Sequence, residues 1–414
     1  MSSTATPESP SLAARTEGIS EIDYPTSRDE AWRYAPHREL GRLTFGPSPA
    51  PSVGVTSDVD EEIPPLDGPR IVMVNGVVDE LRSDLTCDAG GLTLSSLADA
   101  MTDHPEQLAG HFGSSGDEPV DAFVALNRAF GRDGAFAQVA DDHALDAPIH
   151  VVNIAIPDQA ETASCTGVVI QLGDRSAATV VETRIGGGDE FGGSNVRTTI
   201  TLGCEAILEH IVLQDVPAAQ IHLSYIDVTQ GPKSEYRARS FNLGGSYGRL
   251  AYDVHLAGER AQADLSGLYS GFGDQILDQQ ITVIHGAKDC TSRQSFRGVL
   301  DDASTGVFNG GIDVRPGADG TDAEQLNDNL LLSNRAEANT QPRLEILADD
   351  VACKHGATVG QLDDTALYYL RSRGISVDDA RRLLINGFAD QTVDDVGIEV
   401  LRAWITQRLG HADA

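Results

Sequence analysis

The spacing of apolar and polar residues divides this chain into stretches of different kinds. Between residues 147 and 347, short β-branched runs alternate with Gly, Asn and Asp; IHVVNIAI, ATVVETRIGG, AILEHIVLQ, IHLSYIDVTQG, QITVIHGA and GVFNGGIDVRPG are examples. Hardly any segment there has the three-to-four spacing of an amphipathic helix. Many short strands at intervals of roughly ten to twenty residues suit a sandwich, a barrel or a solenoid. About two hundred residues without helix is long for one sandwich, and strands that stay apolar near their turns suit stacked coils. The pattern therefore predicts a mainly β protein with a parallel β-helix core of irregular repeat.

The flanks follow other rhythms. Residues 1–22 are rich in Ser, Thr, Ala and Pro and are expected to form a disordered tail. Residues 23–146 read as an N-terminal mixed, partly helical α/β domain. In it, DEAWRYAPHREL (Asp29 to Leu40) offers Trp32, Tyr34 and Leu40 as anchors, and Gly46 to Gly68 reads as a polar linker. An apolar strand, IVMVNG, is followed by LSSLADAM and DAFVALNRAFG at helical spacing. The latter puts Phe123, Leu126, Asn127 and Phe130 on one face, with Gly131 at its end.

Residues 348–414 read as a C-terminal helical domain. Asp363 and Asp364 open a helix that stops before Gly374, and Ser376 with Asp379 resembles a capping box. Val377, Ala380, Leu383, Leu384 and Phe388 are expected to share one apolar face, and a last helix is expected over Val393 to Leu409, following Thr392. With no linker before it, this tail is expected to pack on the end of the β-region or to offer its apolar face to a partner.

Charge narrows the function classes. The 414 residues carry 63 Asp and Glu against 30 Lys and Arg, a formal charge of -33, and the lysines are Lys233, Lys288 and Lys354. Such a surface repels phosphate backbones, which disfavours nucleic acid and anionic membranes as partners. No apolar run reaches the roughly 20 residues that span a bilayer, and the N-terminus lacks a signal-peptide pattern, so the expected location is the cytoplasm. Phosphate-loop, HExxH, GxSxG and strand-GxGxxG-helix motifs are absent, and the glycines of Ile185 to Asn195 read as a turn. Cys87, Cys165, Cys204, Cys290 and Cys353 are odd in number and contain no CxxC pair, which argues against a disulfide framework or a self-contained zinc site.

Two candidate chemistries remain. Asp301, Asp302, Asp313 and Asp322 form the acid cluster that a β-helix polysaccharide lyase or hydrolase would need, if the fold brings them together. Solvated turn acids are the commoner case. Cys353 and His355 stand two apart on a predicted strand, so both side chains project to one face and can reach one metal centre. Two ligands do not close an iron-sulfur site, which generally takes four, so another chain would have to supply the rest. A buried cysteine beside a hydrogen-bonded histidine is the plainer alternative.

LEILADDVACKHGATVGQLDDTALYYLRSRGIS resembles the C-terminal motif of the SufB/SufD family of the Suf iron-sulfur cluster assembly machinery. The resemblance extends back through FNGGIDVRPGADGTDAEQLNDNLLLSNRAEANTQPRLEI and SRQSFRGVLDD, and it includes DEAWRYAPHREL. It implies a right-handed parallel β-helix between an N-terminal mixed domain and a C-terminal helical domain. It also implies a non-catalytic scaffold that pairs with SufB through the β-helix and binds the SufC ATPase through its C-terminal helices. Leu367, Leu370, Val377, Leu383, Leu384 and Phe388 are the residues expected to meet SufC. A sulfur-donor system would act on the complex indirectly, and a transient nascent iron-sulfur cluster would form at the SufB interface. His355 matches the histidine of the SufD branch implicated in cluster formation, with Cys353 a weaker candidate ligand. Departures from SufB point to that branch: Ala336 and Asn327 stand where SufB has cysteines, and Gly356 where it has a glutamate. A reduced flavin in the complex is not readable from these residues, and an isolated chain has the alternative of a homodimer through the SufB-facing surface.

Overall fold

A computed structural model describes residues 24–46, 55–85, 90–112, 121–131, 133–157 and 159–410. The tail expected over residues 1–22 and Cys87 lie outside the described residues.

Strands fall alternately on two sheets. Sheet A runs from Glu337–Ile346 through Thr305–Val314, Ile276–His285, Tyr247–Leu256, Gln220–Gln230, Gly192–Leu202, Thr162–Leu172 and Gly134–Val139 to Leu92–Ser96. Sheet B runs from Val351–Gln361 through Thr321–Leu331, Thr291–Leu300, Gln262–Gly271, Glu235–Asn242, Ile207–Asp215, Ala177–Gly186 and Ile149–Ala155 to Arg70–Val74 and Val77–Val78. Successive turns pair in parallel, as Ile207 with Ala177 and Glu235 with Ile207. The molecule is thus mainly β, a solenoid of about eight turns with helices at both chain ends.

Burial on both faces explains the near-continuous apolar runs. Between the sheets lies a core that includes Val180, Ile200, Leu208, Ile226, Val254, Leu265 and Val283. The outer face of sheet B carries a second layer, Ile154, Ile185, Leu213, Phe241, Leu268 and Val299 among it. A strand sandwiched this way loses the simple alternation of a half-exposed sheet. Outside sheet A, Trp32, Leu40, Phe123 and Leu126 pack on Leu223 and Tyr225. Arg249 lies over the Trp32 ring at 3.9 Å and donates to the Ala31 carbonyl at 2.8 Å, fastening the N-terminal segment to the sheet.

One corner of the solenoid repeats closely. Arg175, Glu205, Lys233, Arg260 and Asp289 each have φ between +55° and +61°, and each is followed by a small buried residue, Ser176, Ala206, Ser234, Ala261 or Cys290. Their amides donate to the next turn, Arg175 N to Cys204 O and Glu205 N to Pro232 O, both at 2.8 Å. Gly258 lies so close to the neighbouring corner that a Cβ there would meet Pro232 N at 2.1 Å. Cys290 is therefore a corner filler, as an isolated cysteine ordinarily is.

The helical parts differ from expectation in four places. The stretch read as a polar linker contains a helix, Ser57–Glu61, whose Val59 is buried. LSSLADAM is divided: Leu92–Ser96 is a strand, and the helix Leu97–Asp103 begins after Ser96, whose Oγ accepts from Asp99 N. The expected last helix starts later, at Glu399, because Thr392 is buried inside the preceding helix, Val377–Val393. The C-terminal tail also does not pack on the end of the solenoid. It lies along the outer face of sheet B, where Ile385, Ala389, Val393, Leu401, Trp404 and Ile405 join the apolar layer. Trp404 Nε1 donates to Glu62 O at 2.8 Å, and Arg408 pairs with Asp215 at 2.6 Å, so the tail reaches back to the N-terminal turns.

Candidate functional site

The solenoid stops at two strands, Glu337–Ile346 and Val351–Gln361, each paired on one side only among the described residues. Each therefore presents a row of unpaired backbone groups. Ile346 and Val359 are 41% and 49% exposed, although the same positions one turn earlier, Val314 and Asn329, are buried.

Cys353 and His355 sit on the second of these strands, in register with Ala323 and Gln325. Ala323 and Gln325 face the lumen, being 1% and 0% exposed, so Cys353 and His355 also face inward, at the open mouth. Their Cα atoms are about 7 Å apart by strand geometry. Cys353 is half-buried against Ile312, Ala323 and Leu344. Burial, and secondarily the Asp322 carboxylate, push its thiol pKa up, so at neutral pH it is protonated. Lys354 projects to the opposite face and pairs with Glu324 at 2.9 Å, and it does nothing to counter that shift. His355 is exposed at the mouth, which leaves its imidazole free to meet an incoming group.

Directly beneath His355, Gln325 is fully buried with neither amide atom hydrogen-bonded. Its amide occupies the space left by the missing side chain of Gly310, where a Cβ would lie 1.4 Å from Nε2. Sequence reasoning missed Gln325. The alternation in TDAEQLNDN places it on the inner face, but only the strand register puts it below His355. Asn327 is spent on internal bonds, donating to Tyr269 Oη at 3.0 Å and to the Phe296 carbonyl at 3.2 Å, and Ala336 is buried.

The acids read as a possible sugar-cleaving cluster are dispersed. Asp301 and Asp302 stand at a turn, Asp313 is on sheet A, and Asp322 is on sheet B, paired with Arg293 at 2.7 Å. The four therefore do not share one strand face. Among the described residues, no group of three or more His, Cys, Asp or Glu side chains is placed to hold a metal ion. No helix there is long and apolar enough to cross a membrane.

The expected helical face is split. Leu384 and Phe388 are half-buried, and the Phe388 carbonyl accepts from Arg297 at 2.9 Å while the Arg297 guanidinium lies over its ring. Leu383 and Val377 point outward, 53% and 42% exposed. The helix Asp364–Ser372 buries none of its residues; Leu367 and Leu370 are half-buried, and its Tyr368 and Tyr369 are 74% and 57% exposed. Those tyrosines were not singled out from sequence.

Comparison with known proteins gives one answer over nearly the whole chain. Residues 155–388 match the SufBD core domain of the SUF system for FeS cluster assembly, and residues 14–151 match the SufBD protein N-terminal region. The iron-sulfur cluster assembly protein SufD of Escherichia coli is 28% identical, covering 98% of this chain and 93% of its own. An iron-sulfur cluster assembly SufBD family protein of Synechocystis is also 28% identical, over 94% of this chain and 87% of its own. SufD of Bacillus subtilis is 27% identical over 75% of this chain and 71% of its own.

Proposed function

The chain belongs to the SufBD family of the SUF iron-sulfur cluster assembly system, and on that premise we propose that it is a non-catalytic scaffold subunit pairing with SufB. The observation that carries this reading is the open C-terminal end of the solenoid, where two strands lack a second neighbour among the described residues and His355 faces the mouth. A nascent cluster is cargo here. His355 supplies one ligand, Cys353 stays protonated until a metal displaces its proton, and the remaining ligands come from the SufB side. Gln325, Asn327 and Ala336 offer no sulfur-accepting group beneath the mouth, which leaves that chemistry to the partner.

Replacing His355 by Ala tests the role. In a co-expressed complex purified without oxygen, His355→Ala lowers the visible absorption of the cluster severalfold while the subunits still co-elute; unchanged absorption refutes it.

The SufC ATPase is proposed to bind the outward side of the C-terminal helices, at Leu367, Leu370, Val377 and Leu383 beside Tyr368 and Tyr369. Leu384 and Phe388 serve mainly as packing against sheet B. Leu383→Asp removes SufC from the purified complex and leaves the melting temperature of the isolated chain within about 2 °C, as expected for an exposed position. Retention of SufC contradicts that placement.

A further inference from the structure

The outer face of sheet B carries a column of charges that changes sign at every turn. Strand register stacks Glu209 on Arg237, Arg237 on Asp264, Asp264 on Arg293, Arg293 on Glu324 and Glu324 on Lys354. Six rungs therefore read minus, plus, minus, plus, minus, plus, in a chain whose acids outnumber its bases by 63 to 30. Arg293 is 3.8 Å from Glu324, and Lys354 is 2.9 Å from Glu324. Cross-strand pairs of opposite charge favour a register, and like charges directly opposite disfavour it. By register every interior rung lies between two opposite charges, while Arg237, Asp264 and Arg293 make their closest ion pairs beside the column, with Glu235, Arg239 and Asp322. Lys354, the last, has one on a single side, and its side chain is 70% exposed on a strand with no further neighbour among the described residues.

We infer that Lys354 is a selectivity residue of the open edge, choosing a partner strand that carries an Asp or Glu at the next rung of the column. This rests on the reading of the open end as the SufB-facing interface and adds what that strand must present. A strand with Lys or Arg at the same rung would set a second cation against the exposed Lys354 ammonium, so the column admits one class of partner and rejects the other. It acts on pairing, and it is independent of what His355 does at the mouth.

The experiment measures the dissociation constant between the full chain and its SufB-type partner at low and high salt. Lys354→Glu loosens pairing about tenfold at low ionic strength, and the loss shrinks at about 0.5 M salt. Because Lys354→Glu also sets two carboxylates face to face, a second variant, Glu324→Gln with Lys354→Glu, removes that clash without setting a cation against Arg293, while still ending the column on an acid. It should pair as poorly as the single variant. Wild-type affinity in the double variant would show that Lys354 only steadies its own strand, and equal affinity in the single variant would overturn the proposal directly. Val359→Asp, at an exposed mouth position outside the column, separates the two readings. Loss of pairing in Val359→Asp with none in Lys354→Glu sinks the charge column alone; full pairing in Val359→Asp sinks the interface and the column with it.

Discussion

The two ends of the solenoid are built in opposite ways. At the N-terminal end the parallel stack is closed by chain reversal: Val77–Val78 and Leu92–Ser96 pair antiparallel with Arg70–Val74 and Gly134–Val139. Val78, Leu85, Leu92 and Leu94 fold over the luminal core there. At the C-terminal end the parallel strands Glu337–Ile346 and Val351–Gln361 simply stop, with luminal positions in solvent. One end is finished by its own chain; the other ends on strands with no second neighbour among the described residues. The tail that could have capped the open end turns away along sheet B and helps to lock the closed one through Glu62.

Stability should therefore be concentrated away from the mouth. Trp404→Ala removes a buried ring from the layer that joins the tail to the N-terminal turns, together with its hydrogen bond to Glu62, and is expected to cost about 3–5 kcal/mol. Val359→Ala, at the open end, should change stability by less than about 0.5 kcal/mol. Urea unfolding of the two variants checks the contrast, and comparable losses would show that the mouth is part of the folded core.

Acid should act on the closed body in the same way. Burial depresses His150 and His222 to about 3 and His285 to about 4. The interior ion pair with Arg184 and the hydrogen bond to His210 hold Glu182 at about 2 against its own burial. All four folded values lie below the unfolded ones, so the unfolded chain binds more protons as pH falls. The histidine contribution is complete above about 6.5 and is lost progressively toward pH 3–4; that of Glu182 is lost below about 4.5. Melting temperature is expected to be flat from pH 7 to 8 and to fall steadily below about 6.5. His222→Gln should flatten part of that fall, and an unchanged pH profile would contradict the assignment.

The contrast between the ends was only partly legible in the sequence. Runs such as AILEHIVLQ announced buried strands, and Ser376 with Asp379 announced a helix start, which the structure shows with Ser376 Oγ accepting from Asp379 N. The two-residue spacing of Cys353 and His355 placed them on one face of a strand, and the strand formed. The solenoid repeat was present but disguised. GDRS, GCEA, GPKS and GERA recur at the same corner, yet the conserved property there is backbone geometry, a left-handed residue before a small one, which hydrophobic patterning does not register. The fate of the acids and of Gln325 depended on which strands stack, information carried by register alone. Leu383 and Phe388 looked like one face because helical spacing gives neighbours but not the direction of the core, and the packing on Arg297 decided between them.

The measurement that bears most directly on the open end is amide hydrogen exchange across Val351–Gln361, compared with Arg70–Val74, in the free chain and after addition of the SufB-type partner. If the terminal strand awaits a second chain, its amides exchange fast alone and slow at least tenfold in the complex, while Arg70–Val74 stays protected throughout. A complex that forms without slowing exchange in Val351–Gln361 would place the partner elsewhere and leave the mouth an ordinary frayed end.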